Sequence, residues 1–223
     1  SAFHAAVLEP DRFERDYVKG IDVDKRTSVG KAEWLAFSQA SGSKIILAPK
    51  DHELVCGMRA AVLRHPYAEP LPGAVSDTEV SVTWTDPATG VSCKLRADAL
   101  VPGFHTVFDL KTTADASPKA FSQSIFKFGY HRRAAFYLDG LHMVGLDFAH
   151  FIFIAIEKEP PYSVALYRLK PEAIELGQKE NALLIPLYKT CKEADSWPGY
   201  PQTVQDVGIP AYAYKQETES FNL

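Results

Sequence analysis

The sequence predicts an α/β domain in which a mixed sheet is flanked by helices. Helical periodicity dominates the first 65 residues, and three strand-like runs follow one another between residues 79 and 113. Further helical and strand-like segments alternate beyond residue 118. With 46% hydrophobic and 23% charged residues over 223 positions, the composition is that of a globular protein with a sizeable core, which excludes disorder and fibrous structure.

Helical patterns mark the N-terminal part of the chain. Three apolar side chains near its start have helical spacing, namely Phe3, Val7 and Leu8. Residues 32–40 and 51–65 predict two further helices, the second with Asp51 as its N-terminal cap. Because the chain begins with Ser1 and the apolar pattern is already under way, we expect a piece of a longer polypeptide.

Three strand-like runs follow a polar bridge at residues 65–77. They span residues 79–85, 91–100 and 106–113. The turn sequences DPATG and VPGFH join neighbouring runs. We therefore expect an antiparallel meander.

The C-terminal half alternates between the two kinds of element. We expect helices at 118–128 and 130–141, strands at 148–157 and 162–169, and a helix at 171–192. The final segment is rich in proline and glycine and has no periodicity. The sequence thus predicts one domain over residues 1–195 and an irregular tail over 196–223 that packs on it or binds a partner.

Several classes of protein are excluded by simple counts. No apolar run reaches the roughly 18 residues of a membrane-spanning helix. Three cysteines, far apart and odd in number, fit neither a disulfide framework nor a CxxC metal site, so we expect a soluble, cytoplasmic protein. The net charge of −4, from 24 basic and 28 acidic residues, has the wrong sign for a protein that coats nucleic acid.

Two aspartates and a lysine form the clearest chemical motif. Side chains alternate along a strand, so Asp109 and Lys111 share one face, and the preceding turn can bring Asp98 beside them. Two close carboxylates repel each other unless a cation lies between them, and hard oxygen ligands suit Mg²⁺ or Mn²⁺. A nearby lysine can position or deprotonate water and stabilise negative charge. The motif predicts metal-assisted phosphodiester hydrolysis. The alternative is that Asp98 is a turn residue and that Asp109 and Lys111 form an ordinary exposed strand face.

Four runs of sequence extend this prediction. In order they are FHAAVLEPDRF, EVSVTWTDPATGVSCKLRADAL, VFDLKTTADAS and YHRRAAFYLDG. From His4 to about Gly140, the chain resembles the nuclease domain of the exodeoxyribonuclease VIII family, phage-derived recombination exonucleases of the PD-(D/E)XK superfamily. The resemblance implies a restriction-endonuclease-like fold of bacterial or phage origin. It also implies a Mg²⁺-dependent, processive 5′ to 3′ exonuclease acting on linear double-stranded DNA, a single-strand annealing protein as partner, and a ring-like homo-oligomer.

The resemblance also implies roles for individual residues. The candidate metal-site and catalytic residues are His4, Glu79, Asp98, Asp109, Leu110 (through its main-chain carbonyl) and Lys111. Asp98 and Asp109 correspond to the metal-binding aspartates, and Lys111 to the catalytic lysine. His4 corresponds to the family's motif histidine and Glu79 to an acidic position near the site. By themselves, a single histidine in an apolar helix and a carboxylate at a strand start are also typical of structural residues.

The helical segment after the motif departs from the family pattern. Members often carry Gln four residues before Tyr, whereas this chain has Arg133 before Tyr137. Residues four apart share a helix face, and arginine can hold a phosphate with two hydrogen bonds. Alternatively, Gln123 supplies the polar contact from the preceding helical segment. Tyr130 lies on the same helix face as Tyr137, and its side chain could either contact DNA or pack in the core.

Positive charge is concentrated next to the motif. Residues 116–138 contain no Asp or Glu and carry Lys119, Lys127, Arg132 and Arg133. We expect this segment to line a channel for DNA, with Lys127 and Arg132 among its contacts. The alternative is a solvated helix face.

Two other functions stay open at this point. One is a catalytically weakened module of the nuclease fold that binds DNA or recruits a partner, and the other is a structure-specific endonuclease of the same fold. Some related nucleases carry an iron–sulfur cluster held by four cysteines, which three scattered cysteines do not supply. We therefore expect Mg²⁺, with Mn²⁺ as a substitute, and no iron–sulfur cluster.

Overall fold

The computed structural model describes residues 1–68 and 77–209. It divides the chain into two compact units, Ser1–Pro186 and Leu187–Leu223. Residues 196–209 form neither helix nor strand and are exposed. The predicted domain boundary after residue 195 stays a prediction. Residues 69–76 of the predicted polar bridge and 210–223 of the predicted tail lie outside the described residues.

Helices and strands follow the predicted order. The helices are α1 (Ala2–Leu8), α2 (Pro10–Asp16), α3 (Ser28–Ala40), α4 (Pro49–Arg64), α5 (Pro118–Lys127), α6 (Tyr130–Met143) and α7 (Pro171–Glu193). The strands are β1 (Tyr17–Lys19), β2 (Ile45–Leu47), β3 (Asp77–Thr85), β4 (Ser92–Val101), β5 (Thr106–Thr113), β6 (His150–Glu157) and β7 (Val164–Arg168). The elements α2, β1 and β2 were not predicted. Among the described residues, none of the helices is both long and apolar enough to cross a membrane.

Local sequence explains where several helices begin. The hydroxyls of Ser1, Thr27 and Ser117 each accept a hydrogen bond from the main-chain N–H three residues later, which caps α1, α3 and α5. The predicted cap of α4 is wrong, because this helix begins at Pro49 and Asp51 lies in its first turn. There its negative charge interacts favourably with the helix dipole instead of capping a main-chain N–H.

Five strands form one mixed sheet in the order β3-β4-β5-β6-β7. β3, β4 and β5 make the predicted antiparallel meander, and β6 lies parallel to β5 after a crossover through α5 and α6. β1 and β2 form a separate parallel pair. The predicted fold class, a mixed sheet flanked by helices, is confirmed.

Each face of the large sheet carries its own hydrophobic cluster. On the α1 and α4 side, Phe108 and Leu110 of β5 are buried, and on the α5 and α6 side Val107 is buried. Alternation along β5 therefore places Asp109 and Lys111 on the α5 and α6 side.

In β4 the alternation reverses at Asp98. Leu95 and Ala97 pack on the α5 and α6 side, whereas Ala99 and Val101 pack on the opposite side. β4 continues for three residues beyond Asp98, to Val101.

A close approach between α6 and α7 gives a test of the packing. A Cβ atom built on Gly177 would lie 2.5 Å from the carbonyl oxygen of His131. Alanine normally favours a helix over glycine. We nevertheless expect Gly177→Ala to lower the free energy of unfolding by about 1–3 kcal/mol, because main-chain atoms must move apart.

Denaturant titration measures this difference. Lys179→Ala is the matched control, since Lys179 is exposed on the same helix, and its effect should stay within about 0.5 kcal/mol. Equal or greater stability of Gly177→Ala would contradict the close approach of the two helices.

Candidate active site

The candidate site lies where β4 and β5 separate. The two strands are paired only over Ala99–Val101 and Thr106–Phe108. Just beyond the last pair, the Asp98 carboxylate accepts a hydrogen bond from the main-chain N–H of Leu110, with an Oδ2–N distance of 2.8 Å. The side chain thereby replaces a strand partner for this N–H.

His4 approaches Asp98 from α1. Its Nε2 lies 3.2 Å from Asp98 Oδ2, and its Nδ1 is 2.7 Å from the hydroxyl of Ser1. Burial by itself raises the pKa of Asp98, but the hydrogen bond and charge of His4, the N–H of Leu110 and the charge of Lys111 outweigh it. The net pKa is lowered, so the carboxylate is held ionised.

Asp109 and Lys111 meet on one face of β5, as predicted from alternation. Asp109 is only 2% exposed, and the Lys111 ammonium donates a hydrogen bond to its Oδ2. The same ammonium is 3.5 Å from the carbonyl oxygen of Leu110. Burial lowers the pKa of Lys111 to about 8, the Asp98 charge opposes this, and the Arg133 charge adds to it.

Two residues of α6 complete the surroundings of this ion pair. Arg133 Nη1 lies 3.9 Å from Asp109 Oδ1, and the Tyr130 ring centroid lies 5.3 Å from Lys111 Nζ. Arg133 was predicted to reach the site, and for Tyr130 the sequence left both DNA and the core open. The charge of Asp109 is thus offset by two cations, and an aromatic face borders one of them.

Glu79, the predicted acidic position near the site, lies on β3 across from Asp98. The register of β3 and β4 sets Glu79 opposite Asp98, where the pairing is interrupted, and Glu79 has a left-handed φ of 53°. Its carboxylate lies 2.6 Å from Arg96 Nε. The sequence prediction did not single out Arg96, whose side chain is exposed.

The remaining predicted DNA contacts do not gather at the carboxylates. Tyr137 packs edge-on against the buried ring of Phe151, and Arg132 Nε lies 3.5 Å from Glu180 of α7. Gln123 and Lys127 line a neighbouring cavity, which also reaches Tyr130. The remaining residues are therefore divided between the hydrophobic core, α7 and this cavity.

The chemistry of the donor atoms fits a divalent cation. Asp98, Asp109 and the Leu110 carbonyl offer hard oxygen atoms, and the ammonium already lying near them is a stand-in for a cation. Within residues 1–68 and 77–209, no three His, Cys, Asp or Glu side chains are grouped as a metal cluster. A metal ion would share these oxygen atoms with Lys111.

The fold and this arrangement define a PDDEXK-like domain. The sequence matches the family described as PDDEXK-like domain of unknown function (DUF3799) over residues 1–206, so the chain belongs to that family. Nucleases of this superfamily generally use divalent metal ions. The narrower resemblance to exodeoxyribonuclease VIII remains a prediction.

One solved structure agrees with the fold. The chain resembles a crystallised protein from Eubacterium rectale described as a candidate exonuclease, with a TM-score of 0.58 and 14% identity, covering 82% of this chain and 74% of that one. A second structure, SSO0001, reaches a TM-score of only 0.33 at 18% identity, covering 82% and 84%, and supports no conclusion. No curated protein matches the sequence.

The buried ion pair leads to a stability prediction. Lys111→Met leaves the Asp109 carboxylate with only the more distant Arg133, so we expect the free energy of unfolding to fall by about 3 kcal/mol. The double variant Asp109→Asn/Lys111→Met should recover most of this loss, because no buried charge remains unpaired. Denaturant titration without added metal measures both, and Lys179→Met is the exposed control. A single variant as stable as the parent chain would contradict the pairing.

Proposed function

We propose that this chain is a Mg²⁺-dependent nuclease that removes nucleotides in the 5′ to 3′ direction from linear double-stranded DNA during homologous recombination. Membership of a PDDEXK-like family supports nuclease chemistry. The observation that carries the proposal is a pair of contacts on β5: the Leu110 N–H donates to Asp98 of β4, and the Lys111 ammonium donates to Asp109 on the other side of Leu110 in the chain. Two carboxylates and a lysine are thereby brought together from separate strands.

Asp98, Asp109 and the Leu110 carbonyl would hold the metal ion. When bound, Mg²⁺ supplies a Lewis acid that makes water more acidic and offsets charge on the phosphate. His4 donates toward Asp98 and so fixes the orientation of this carboxylate, although it remains a candidate ligand itself.

Lys111 and Arg133 would act on the phosphate. In hydrolysis, the oxygen of water bonds to phosphorus while the bond to the leaving sugar oxygen breaks, and negative charge accumulates on the other phosphate oxygens. Lys111 Nζ and the half-exposed guanidinium of Arg133 both border Asp109, where they can donate to those oxygens. The low exposure of the Lys111 side chain, 13%, strengthens this interaction, because little water competes with it.

DNA as the substrate rests on the family, and the exonuclease mode rests on the narrower resemblance. The same resemblance supports a ring-like oligomer and a single-strand annealing protein as partner. Arg133 and Tyr130 border the carboxylates, so they are the predicted DNA residues nearest to the proposed chemistry.

A second candidate is a module that binds DNA without cutting it. The specific observation in its favour is Arg133, which stands where relatives often have Gln and lies 3.9 Å from a carboxylate oxygen of Asp109. A permanent cation at this position competes with a metal ion. Mg²⁺ titration separates the candidates, because an active site should bind the ion and lose that binding in Asp98→Asn.

Loss of either central residue should abolish cleavage. Asp109→Ala removes a proposed ligand, and Lys111→Ala removes the cation that stabilises the transition state. We expect Mg²⁺-dependent release of nucleotides from linear duplex to disappear in both, whereas the control Asp11→Asn, which removes an exposed carboxylate of α2, should be fully active. Appreciable activity in both Ala variants would contradict the assignment of Asp109 and Lys111 to the active site.

Labelled substrates decide the mode of cutting. A blunt duplex labelled separately at each 5′ and 3′ end should lose its 5′ label first, and only with Mg²⁺ present. Covalently closed circular duplex should be spared. Cutting of the circle would favour the structure-specific endonuclease instead.

A further inference from the structure

A cavity of about 650 Å³ opens next to the candidate site. It lies at the carboxyl ends of the parallel strands β5 and β6, where Thr113 and Lys158 line it. Ligands often bind at such strand ends, and this volume is within the about 300–1,000 Å³ of small-molecule sites. Tyr130 belongs both to the cavity wall and to the surroundings of Lys111, so the cavity adjoins the proposed chemistry.

The wall between β5 and α5 is fixed by hydrogen bonds. Glu157 accepts from the main-chain N–H of Ala116 at 2.9 Å, and the hydroxyl of Tyr167 donates to the carbonyl of the same residue. Asp115 accepts from the N–H of Ser117, whose hydroxyl caps α5. The loop is therefore set before any ligand arrives, which limits the entropy lost on binding.

The lining residues match the parts of a nucleotide. Phe128 is 58% exposed and lies 5.6 Å from Tyr130, ring centroid to centroid, which offers an aromatic surface for a base. Gln123 and Ser124 can hydrogen-bond to base or sugar edges.

Two lysines in the cavity wall offer positive charge to a phosphate. Lys127 and Lys158 line the cavity, and in the described part of the chain neither forms a salt bridge. Of the two carboxylates in the wall, Asp115 is engaged by the Ser117 N–H, while Glu159 is exposed. Since the charges nearly balance, stacking on Phe128 must supply much of the affinity.

We propose that this cavity binds one unpaired nucleotide of the substrate strand, with its base on Phe128 and its phosphate on Lys158. The proposal builds on the proposed nuclease function and names a binding site beside it. A paired base is stacked within the duplex, so the terminal nucleotide must leave its partner to enter. Free deoxynucleoside monophosphates should compete for the same place.

Binding of dAMP and of deoxyadenosine, measured by calorimetry with EDTA present, tests the site without any need for catalysis. Phe128→Ala should weaken both ligands about tenfold, the effect of losing one base–aromatic stack, and Phe128→Trp should restore binding. Lys158→Ala should weaken the binding of dAMP and leave the binding of deoxyadenosine unchanged. The difference in affinity between the two ligands should therefore become smaller. The matched controls are Phe126→Ala, a more exposed ring outside the cavity, and Lys179→Ala.

Each result has a defined meaning. Unchanged binding in both Phe128→Ala and Lys158→Ala, or no binding of dAMP to the parent chain, would overturn the cavity proposal. Thermal unfolding of each variant shows that it is folded. Binding of dAMP by a chain that cuts no DNA would instead remove the proposed function and leave the cavity assignment standing, so the two failures are distinguishable.

Discussion

The hydrogen bond from the Leu110 N–H to the Asp98 carboxylate is the contact on which the site depends. Where β4 and β5 part, this main-chain N–H needs a new acceptor, and an aspartate satisfies it while bringing negative charge to the gap. The opening between the strands is thereby stabilised, and the main-chain carbonyl of Leu110 and the side chain of Asp109 stay close to it. Asp98 also links α1 to the sheet, because its carboxylate contacts His4 of that helix.

Charge balance follows from this opening. Asp109 is almost completely buried, and an unpaired carboxylate there would destabilise the folded state. Lys111 and Arg133 both approach it and offset its charge. A metal ion bound here would share the Asp109 oxygen atoms with Lys111, so the ion pair that supports the fold would also oppose metal binding. Structural stability and readiness for catalysis are coupled through one carboxylate.

A single strand also connects the two parts of the proposed substrate site. Asp109, Lys111 and Thr113 alternate along one face of β5, and this face leads from the carboxylates to the cavity beneath α5. Tyr130 borders both regions. The scissile phosphate and the neighbouring nucleotide would therefore be positioned by the same rigid element, which favours precise placement.

The sequence by itself determined the meander, the sharing of one face by Asp109 and Lys111, and the helix break at Gly129, whose φ is 64°. These features depend on local periodicity and backbone preference, which short stretches encode. Only the tertiary structure decided that Glu79 pairs with Arg96 and that Arg132 turns to Glu180. Such choices depend on helix rotation and strand register, which are set by packing between residues distant in the chain. For the same reason, the reversal of β4 at Asp98 and the cavity at the carboxyl ends of β5 and β6 could not be read from spacing.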